Sequence, residues 1–238
     1  MSNTGLEDWL ASPQGQYVLS WETRQIDEAV SDIFGFNALQ IGLPQLDLLH
    51  SNRMALRLRI GTGSPVAVNC LATALPVANQ SVDLVVLPHL LEFSEDPHQI
   101  LREVERILIP EGQLIITGFN PLSLWGLTKQ ARRGKGFPWN GNYLSPTRVK
   151  DWLKLLGFEV DRSNFGCYAP PFEQQKWLQR WRISETAGRR WWKFSGAVYM
   201  LRAVKRVHGM RLITPNWRKK ALGTKALRPI AQKEQHGD

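Results

Sequence analysis

The sequence predicts an α/β domain built on a mainly parallel sheet with helices on both faces. Three observations carry this. Short apolar runs alternate with stretches of helical periodicity, the pattern of β–α–β units. One run, SVDLVVLP at 81–88, is apolar without alternation, as a strand buried on both faces is. The segment DPHQILREVERILIPEG at 96–112 reads as a complete helix: Asp96 is an N-cap, Pro97 suits the first helical position, and Pro110 and Gly112 stop it. Its Ile100, Leu101, Val104, Ile107 and Leu108 share one face.

The other elements follow in chain order. Residues 1–20 are polar with scattered anchors at Leu6, Trp9, Leu10 and Tyr17, and read as an N-terminal extension. Residues 21–34 set Ile26, Ala29, Val30 and Ile33 on one helical face, closed by Gly35. NALQIGL (37–43) is a first strand, and QLDLLHSN (45–52) a short helix. MALRLRI (54–60), VAVNC (66–70), SVDLVVLP and QLIITGFN (113–120) continue the sheet. Residues 121–142 read as a linker, and 145–157 as a second capped helix with Val149, Trp152, Leu153 and Leu156 inward. FEV, from Phe158, opens a strand and 196–207 forms the last one. The domain thus spans 21–207, with a Trp/Arg-rich insertion at 170–195 and a basic C-terminal tail at 208–238.

Hydrophobic residues make up 43% of the 238, enough for a sizeable core. The net charge of +9 is uneven: residues 202–238 carry ten Lys and Arg against two acids. Attraction to an anionic partner or nucleic acid is therefore expected from the tail, over 205–233. Two cysteines exclude a disulfide framework or a zinc cluster, no metal is expected, and a reducing cytoplasm is the simple reading. The first twenty residues lack the pattern of a signal peptide, and no apolar run approaches transmembrane length.

Residues 75–121 carry a family resemblance. Leu75-Pro76-Val77 precedes a strand holding Asp83-Leu84-Val85-Val86, then comes Glu95-Asp96-Pro97 at a helix start, then Leu108-Ile109-Pro110-Glu111-Gly112 before the next strand. In order and spacing this resembles the second half of a class I S-adenosylmethionine-dependent methyltransferase of the type 11 kind. The resemblance implies a Rossmann-like fold with a seven-strand mixed sheet and helices on both faces. It also implies S-adenosylmethionine as cofactor and methyl transfer to a small-molecule substrate.

The first half departs from the family. There the first strand leads into acidic-x-Gly-x-Gly-x-Gly; here the stretch is LQIGLPQL, with Gln40 at the acidic position, Gly42 kept, and Pro44 and Leu46 at the next two glycine places. The other glycine pair, in RIGTGSPV (59–66), cannot replace it. Only 17 residues separate Gly63 from Ser81, whereas a βαβ unit alone takes about 30. RIGTGSPV is the turn after the second strand. That strand ends at Ile60-Gly61 without the family's ribose-binding acid, and Leu71 or Ala72 stands where an adenine-binding acid is usual. Three such losses total about 3–6 kcal/mol of ligand binding. The rival to the enzyme is thus a catalytically inactive methyltransferase-fold binding or scaffold protein.

By the resemblance, Gly42, Gly61, Leu71, Ala72, Leu87 and His89 would line the cofactor site, and Asn120 and Trp125 would touch substrate. His89 is the candidate catalytic base, and equally a lining or structural residue. Glu92 reads as a solvated or helix-flanking acid, and Asp83 as structural. The cluster at 176–194, with Trp177 and Trp181 on one helical face, reads as a packed helix, a substrate lid, or a nucleic-acid or membrane contact.

Overall fold

A computed structural model describes residues 4–131, 136–171, 192 and 194–207. The basic tail and most of the Trp/Arg-rich insertion, including Trp177 and Trp181, lie outside the described residues.

Seven strands form one mixed sheet in the order β3-β2-β1-β4-β5-β7-β6. They are β1 (Asn37–Ile41), β2 (Leu56–Gly61), β3 (Val68–Asn69), β4 (Val82–Pro88), β5 (Leu108–Phe119), β6 (Phe158–Gly166) and β7 (Val198–Lys205). Strands β1 to β5 are parallel, and β7 runs antiparallel to both β5 and β6. The order reverses between β1 and β4, so the crevice in which open α/β sheets bind ligands lies beyond the carboxyl ends of those strands.

Alternation along β4 and β5 divides the core. Leu84, Val86 and Ile115 pack with Trp9 of α1 (Thr4–Ala11) and with Trp21, Ile26 and Val30 of α2 (Pro13–Val30). Val85, Leu87, Leu114 and Ile116 pack on the other face with Ile100 and Val104 of α3 (Pro97–Ile107) and with Val149 and Leu153 of α5 (Pro146–Leu155). The caps read from the sequence form: Asp96 accepts from the Gln99 N–H at 2.9 Å, and Ser145 from that of Arg148 at 3.2 Å. Asp83 accepts from the N–H groups of Phe36 and Asn37 at 3.0 and 2.9 Å, tying the start of β1 to β4.

Four expectations are corrected. The first helix starts near Pro13, capped by Ser12, so α2 runs across the 20/21 junction and α1 precedes it. Residues 45–52 form turns, not a helix. The physical reason is Gln40: its buried amide draws the carbonyls of Gly42, Leu43 and Leu46 inward at 3.1, 2.9 and 2.9 Å, and carbonyls so engaged do not continue a helical ladder. The helix read over 96–112 ends at Ile107, because Leu108 turns extended and pairs with Val82. The linker at 121–142 contains α4 (Leu124–Ala131). As the short spacing requires, no helix joins β2 to β3 or β3 to β4. The second connection is held from α3: Glu103 accepts from the Leu75 N–H at 2.9 Å, and Arg106 donates to the carbonyls of Leu75 and Val77.

Candidate functional site

His89 is the first residue beyond β4. Its backbone is left-handed (φ +47°), its N–H donates to the Thr117 carbonyl at 3.2 Å, and its ring is buried against Phe119 with centroids 4.4 Å apart. A carboxylate faces each ring nitrogen. Nδ1 pairs with Glu92, three residues on in a single 3-10 turn (Leu91–Phe93). Nε2 lies 2.7 Å from Glu22 of α2, an ion-pair separation whose angle falls outside hydrogen-bond geometry. Both carboxylates are buried. Glu92 therefore departs from the solvated acid expected: its second oxygen accepts from the Phe119 N–H at 2.8 Å, and its carbonyl accepts from the Asn142 N–H at 2.7 Å.

Burial alone would lower the His89 pKa, but the charges of Glu22 and Glu92 outweigh it and hold it up at about 10. His89 is thus an imidazolium at neutral pH, with a carboxylate beside each N–H group. Burial, then the Glu92 charge, also raises the hydroxyl pKa values of Tyr143 and Tyr199. Burial lowers that of Lys129, opposed by Glu92; its Nζ donates to the Gly141 carbonyl and stands 4.5 Å from the Tyr143 ring. Around Phe119 lie Tyr143 and Trp125, stacked at 5.1 and 6.0 Å, and Trp9, edge-on at 5.7 Å. Thr117 Oγ1 and Tyr143 Oη are buried with no hydrogen-bond partner among the described residues, two polar atoms that a bound molecule could engage.

Two glycines lie at the carboxyl ends of the neighbouring strands β1 and β2, with Pro88 and Leu90 near Gly42. Gly42 (φ +93°) follows β1 and Gly61 (φ +147°) ends β2, and a Cβ on Gly61 would stand 3.5 Å from the Gly42 nitrogen. This is a backbone cradle that side chains would fill. Leu90 leans over it, 3.4 Å from where a Gly42 Cβ would be. No carboxylate stands in the Thr62-Gly63-Ser64 turn after β2 or at Cys70 to Thr73 after β3. The two glycines leave backbone without side chains at this point, and the carboxylates that the family resemblance would place after β2 and β3 are missing.

The other predicted residues divide. Leu71 is exposed and Ala72 half-buried, both after β3. Leu87 is fully buried between the sheet, α3 and α5. Asn120 is the first residue beyond β5, and its amide donates to the carbonyls of Phe194 and Gly196 at 2.8 and 3.0 Å. Trp125 is fully buried, its indole N–H donating to the Ala169 carbonyl at 2.9 Å. A shallow cavity of about 280 Å³ lies elsewhere, lined by Arg57, Leu58, Arg59, Pro65, Val66 and Ala67. Sequence reasoning missed Glu22 altogether, because it faces the site from a helix assigned before the sheet. Among the described residues no three His, Cys, Asp or Glu side chains are arranged to hold a metal.

Residues 45–116 match the model of the methyltransferase domain family, and the described body has the class I methyltransferase fold. It is similar to a SAM-dependent methyltransferase from Thermotoga maritima (TM-score 0.63, 18% identity, covering 84% of this chain and 94% of that one). It is also similar to one from Archaeoglobus fulgidus (TM-score 0.56, 16% identity, 78% and 94%). The [4+2]-cyclase SpnF has the same fold (TM-score 0.54, 18% identity, 78% and 80%), so the fold hosts more than one chemistry. In sequence, the chain is 36% identical to the uncharacterized protein YafS of Escherichia coli over 156 residues, 64% of this chain and 65% of that one. An uncharacterized protein of Mycobacterium tuberculosis is 27% identical over 175 residues, 68% and 60%. The chain spans less than two thirds of the length of either relative.

Proposed function

We propose that this protein is an S-adenosylmethionine-dependent methyltransferase acting on a small molecule in the cytoplasm. The observation that supports this reading best is the Gly42–Gly61 cradle at the carboxyl ends of β1 and β2, by the switch point of a sheet in a chain whose residues 45–116 match the methyltransferase domain. In this reading the backbone at Gly42 and Gly61 holds the cofactor, with Leu71 and Ala72 beside it and Asn120 toward the substrate, while the buried Leu87, His89 and Trp125 pack behind the site. S-adenosylmethionine supplies an electrophilic methyl group. The chain's part is to bind, orient and exclude water, which is most of what such a transfer needs. His89 takes no proton from substrate while both carboxylates hold it; it contributes a fixed positive charge and a rigid wall.

One specific observation favours a second reading. The loop after β1 is folded onto the Gln40 amide, and all three acidic anchors that the resemblance implies are missing. A binding or scaffold protein that keeps the fold without the cofactor would look this way. Calorimetric titration with S-adenosylmethionine and its demethylated product separates the two. Micromolar binding supports the enzyme; no binding at millimolar ligand removes it in favour of the scaffold.

A further inference from the structure

The short connection from β2 to β3 leaves part of the sheet edge open. Only Thr62 to Ala67 join the two strands, and β3 pairs with β2 at Ile60 and Gly61 alone. Along a strand the N–H and carbonyl of one residue point to the same edge, and successive residues alternate. The Leu56 N–H bonds to the Phe36 carbonyl, and the Ile60 carbonyl accepts from the Gly42 N–H, so Leu56, Leu58 and Ile60 face β1. The residues between them face outward: the Arg59 carbonyl accepts from the Ala67 N–H at 2.8 Å, and that of Gly61 from the Cys70 N–H at 3.0 Å. The Arg57 N–H and carbonyl and the Arg59 N–H point the same way, and among the described residues no strand lies beside them. The cavity of about 280 Å³ is at this edge. Arg57, Leu58 and Arg59 all line it although strand neighbours point to opposite faces, and Pro65, Val66 and Ala67 form its other wall.

The open edge is positively charged. Between Asp47 and Asp83 the sequence holds Arg53, Arg57 and Arg59 and no acid. Arg57 donates to the Asn52 and His50 carbonyls at 2.9 and 3.3 Å, and Arg59 to the Pro44 carbonyl at 3.0 Å. Among the described residues neither pairs with a carboxylate. Carbonyls hold the two guanidinium groups in place without neutralising them, and each has five N–H donors, suited to bidentate pairing with a carboxylate. A second copy paired edge to edge would set these arginines against each other. A small molecule fits less well, since the volume lies below the roughly 300–1,000 Å³ of such pockets. An added strand needs only the edge, and the charge selects an acidic one.

We propose that the outer edge of β2 binds an extended acidic segment of another protein as an added strand. Its main chain pairs with Arg57 and Arg59, and its carboxylates meet the two guanidinium groups. Leu56 and Leu58 point to the other face, and Leu56 is 46% exposed, so apolar residues alternating with the acids find a partner there. The proposal does not rest on methyl transfer, and its test reads binding alone. A fluorescein-labelled peptide TEVEVT with blocked ends is titrated with the full-length protein and followed by anisotropy. The comparison peptides are TKVKVT and a TEVEVT with N-methylated amides, which keeps the charge and removes main-chain pairing. TEVEVT is expected to bind and TKVKVT not to bind. Binding is expected to weaken about tenfold or more on N-methylation, and about tenfold in the double variant Arg57→Gln, Arg59→Gln, which loses charge-assisted bonds. A thermal melt checks that the variant is folded; if it is not, the peptide comparison decides alone. Three results would overturn the proposal: no saturable binding of TEVEVT, equal binding of its N-methylated form, or equal binding by a variant that melts like the parent.

Discussion

His89 Nε2 and Glu22 Oε1 lie 2.7 Å apart, both buried, although 67 positions of sequence separate them and the two residues belong to different layers. The pair fastens α2 to the carboxyl end of β4. Glu92, on the other ring nitrogen, passes the connection to β5 through the Phe119 N–H. The three side chains form one charged unit inside an aromatic wall.

Removing the cation strands two buried carboxylates. His89→Ala is expected to destabilise the protein by about 3–5 kcal/mol, the usual effect of breaking a buried ion pair from one side. Urea unfolding measures it. A loss below about 1 kcal/mol would mean that water reaches the cluster and that His89 is not the fixed cation described.

The same unit sets a pH dependence. The His89 pKa is raised from 6.5 to about 10, so the folded state holds this proton more tightly than the unfolded chain. Its contribution is fully present below pH 6.5, declines as pH rises, and is gone above about 10. Denaturation midpoints taken between pH 6 and 10 should fall for the parent and flatten in a His89→Gln variant. Equal slopes would show that other groups govern the trend.

Restoring the family's acid at position 40 should fail. The carboxylate of a Gln40→Glu variant would face three carbonyl oxygens that the amide now satisfies. The expected loss is about 2–4 kcal/mol from unsatisfied buried acceptors, with no gain in S-adenosylmethionine affinity by calorimetry. A stable variant with tighter cofactor binding would show that the loop reopens to the family's form.

Gly42→Ala tests the cradle. The left-handed backbone costs about 1–3 kcal/mol for a residue with a Cβ, and the added methyl meets Leu90. If the cofactor lies here, its affinity should fall by more than the change in stability explains. Unchanged affinity would place any cofactor elsewhere.

Asn120→Ala separates a substrate contact from a structural tie. Loss of the two bonds to Phe194 and Gly196 is expected to cost about 1–3 kcal/mol and to loosen residues 194–196, read by hydrogen exchange at the Ala197 amide, which bonds to the Cys167 carbonyl. A variant with unaltered stability and exchange would restore Asn120 as a candidate for substrate contact alone.

The second half of the sheet was legible in the sequence because its signals are local. Asp96-Pro97 and Ser145-Pro146 cap their helices within four residues, and the unbroken apolar run of β4 reports burial on both faces. Gly42 and Gly61 were singled out by the family resemblance, and in the structure both have a positive φ next to a strand end, a conformation that favours glycine. The turn at 45–52 was misread because its apolar spacing is helical, while the competing bonds come from Gln40, a side chain outside the window. The leucines of α4 were hidden in a stretch whose Gly, Pro and basic residues suggested a linker.

The sequence by itself determined the α/β class, the order of the elements and the loss of the acidic anchors, because periodicity, capping and spacing act over a few residues. Only the tertiary structure decided what His89 is. Its sequence neighbours offered a lone histidine beside a glutamate; the approach of Glu22 from α2 made it a buried imidazolium between two carboxylates. Charge and burial are set by whatever the fold brings within a few ångströms, and no local pattern encodes that.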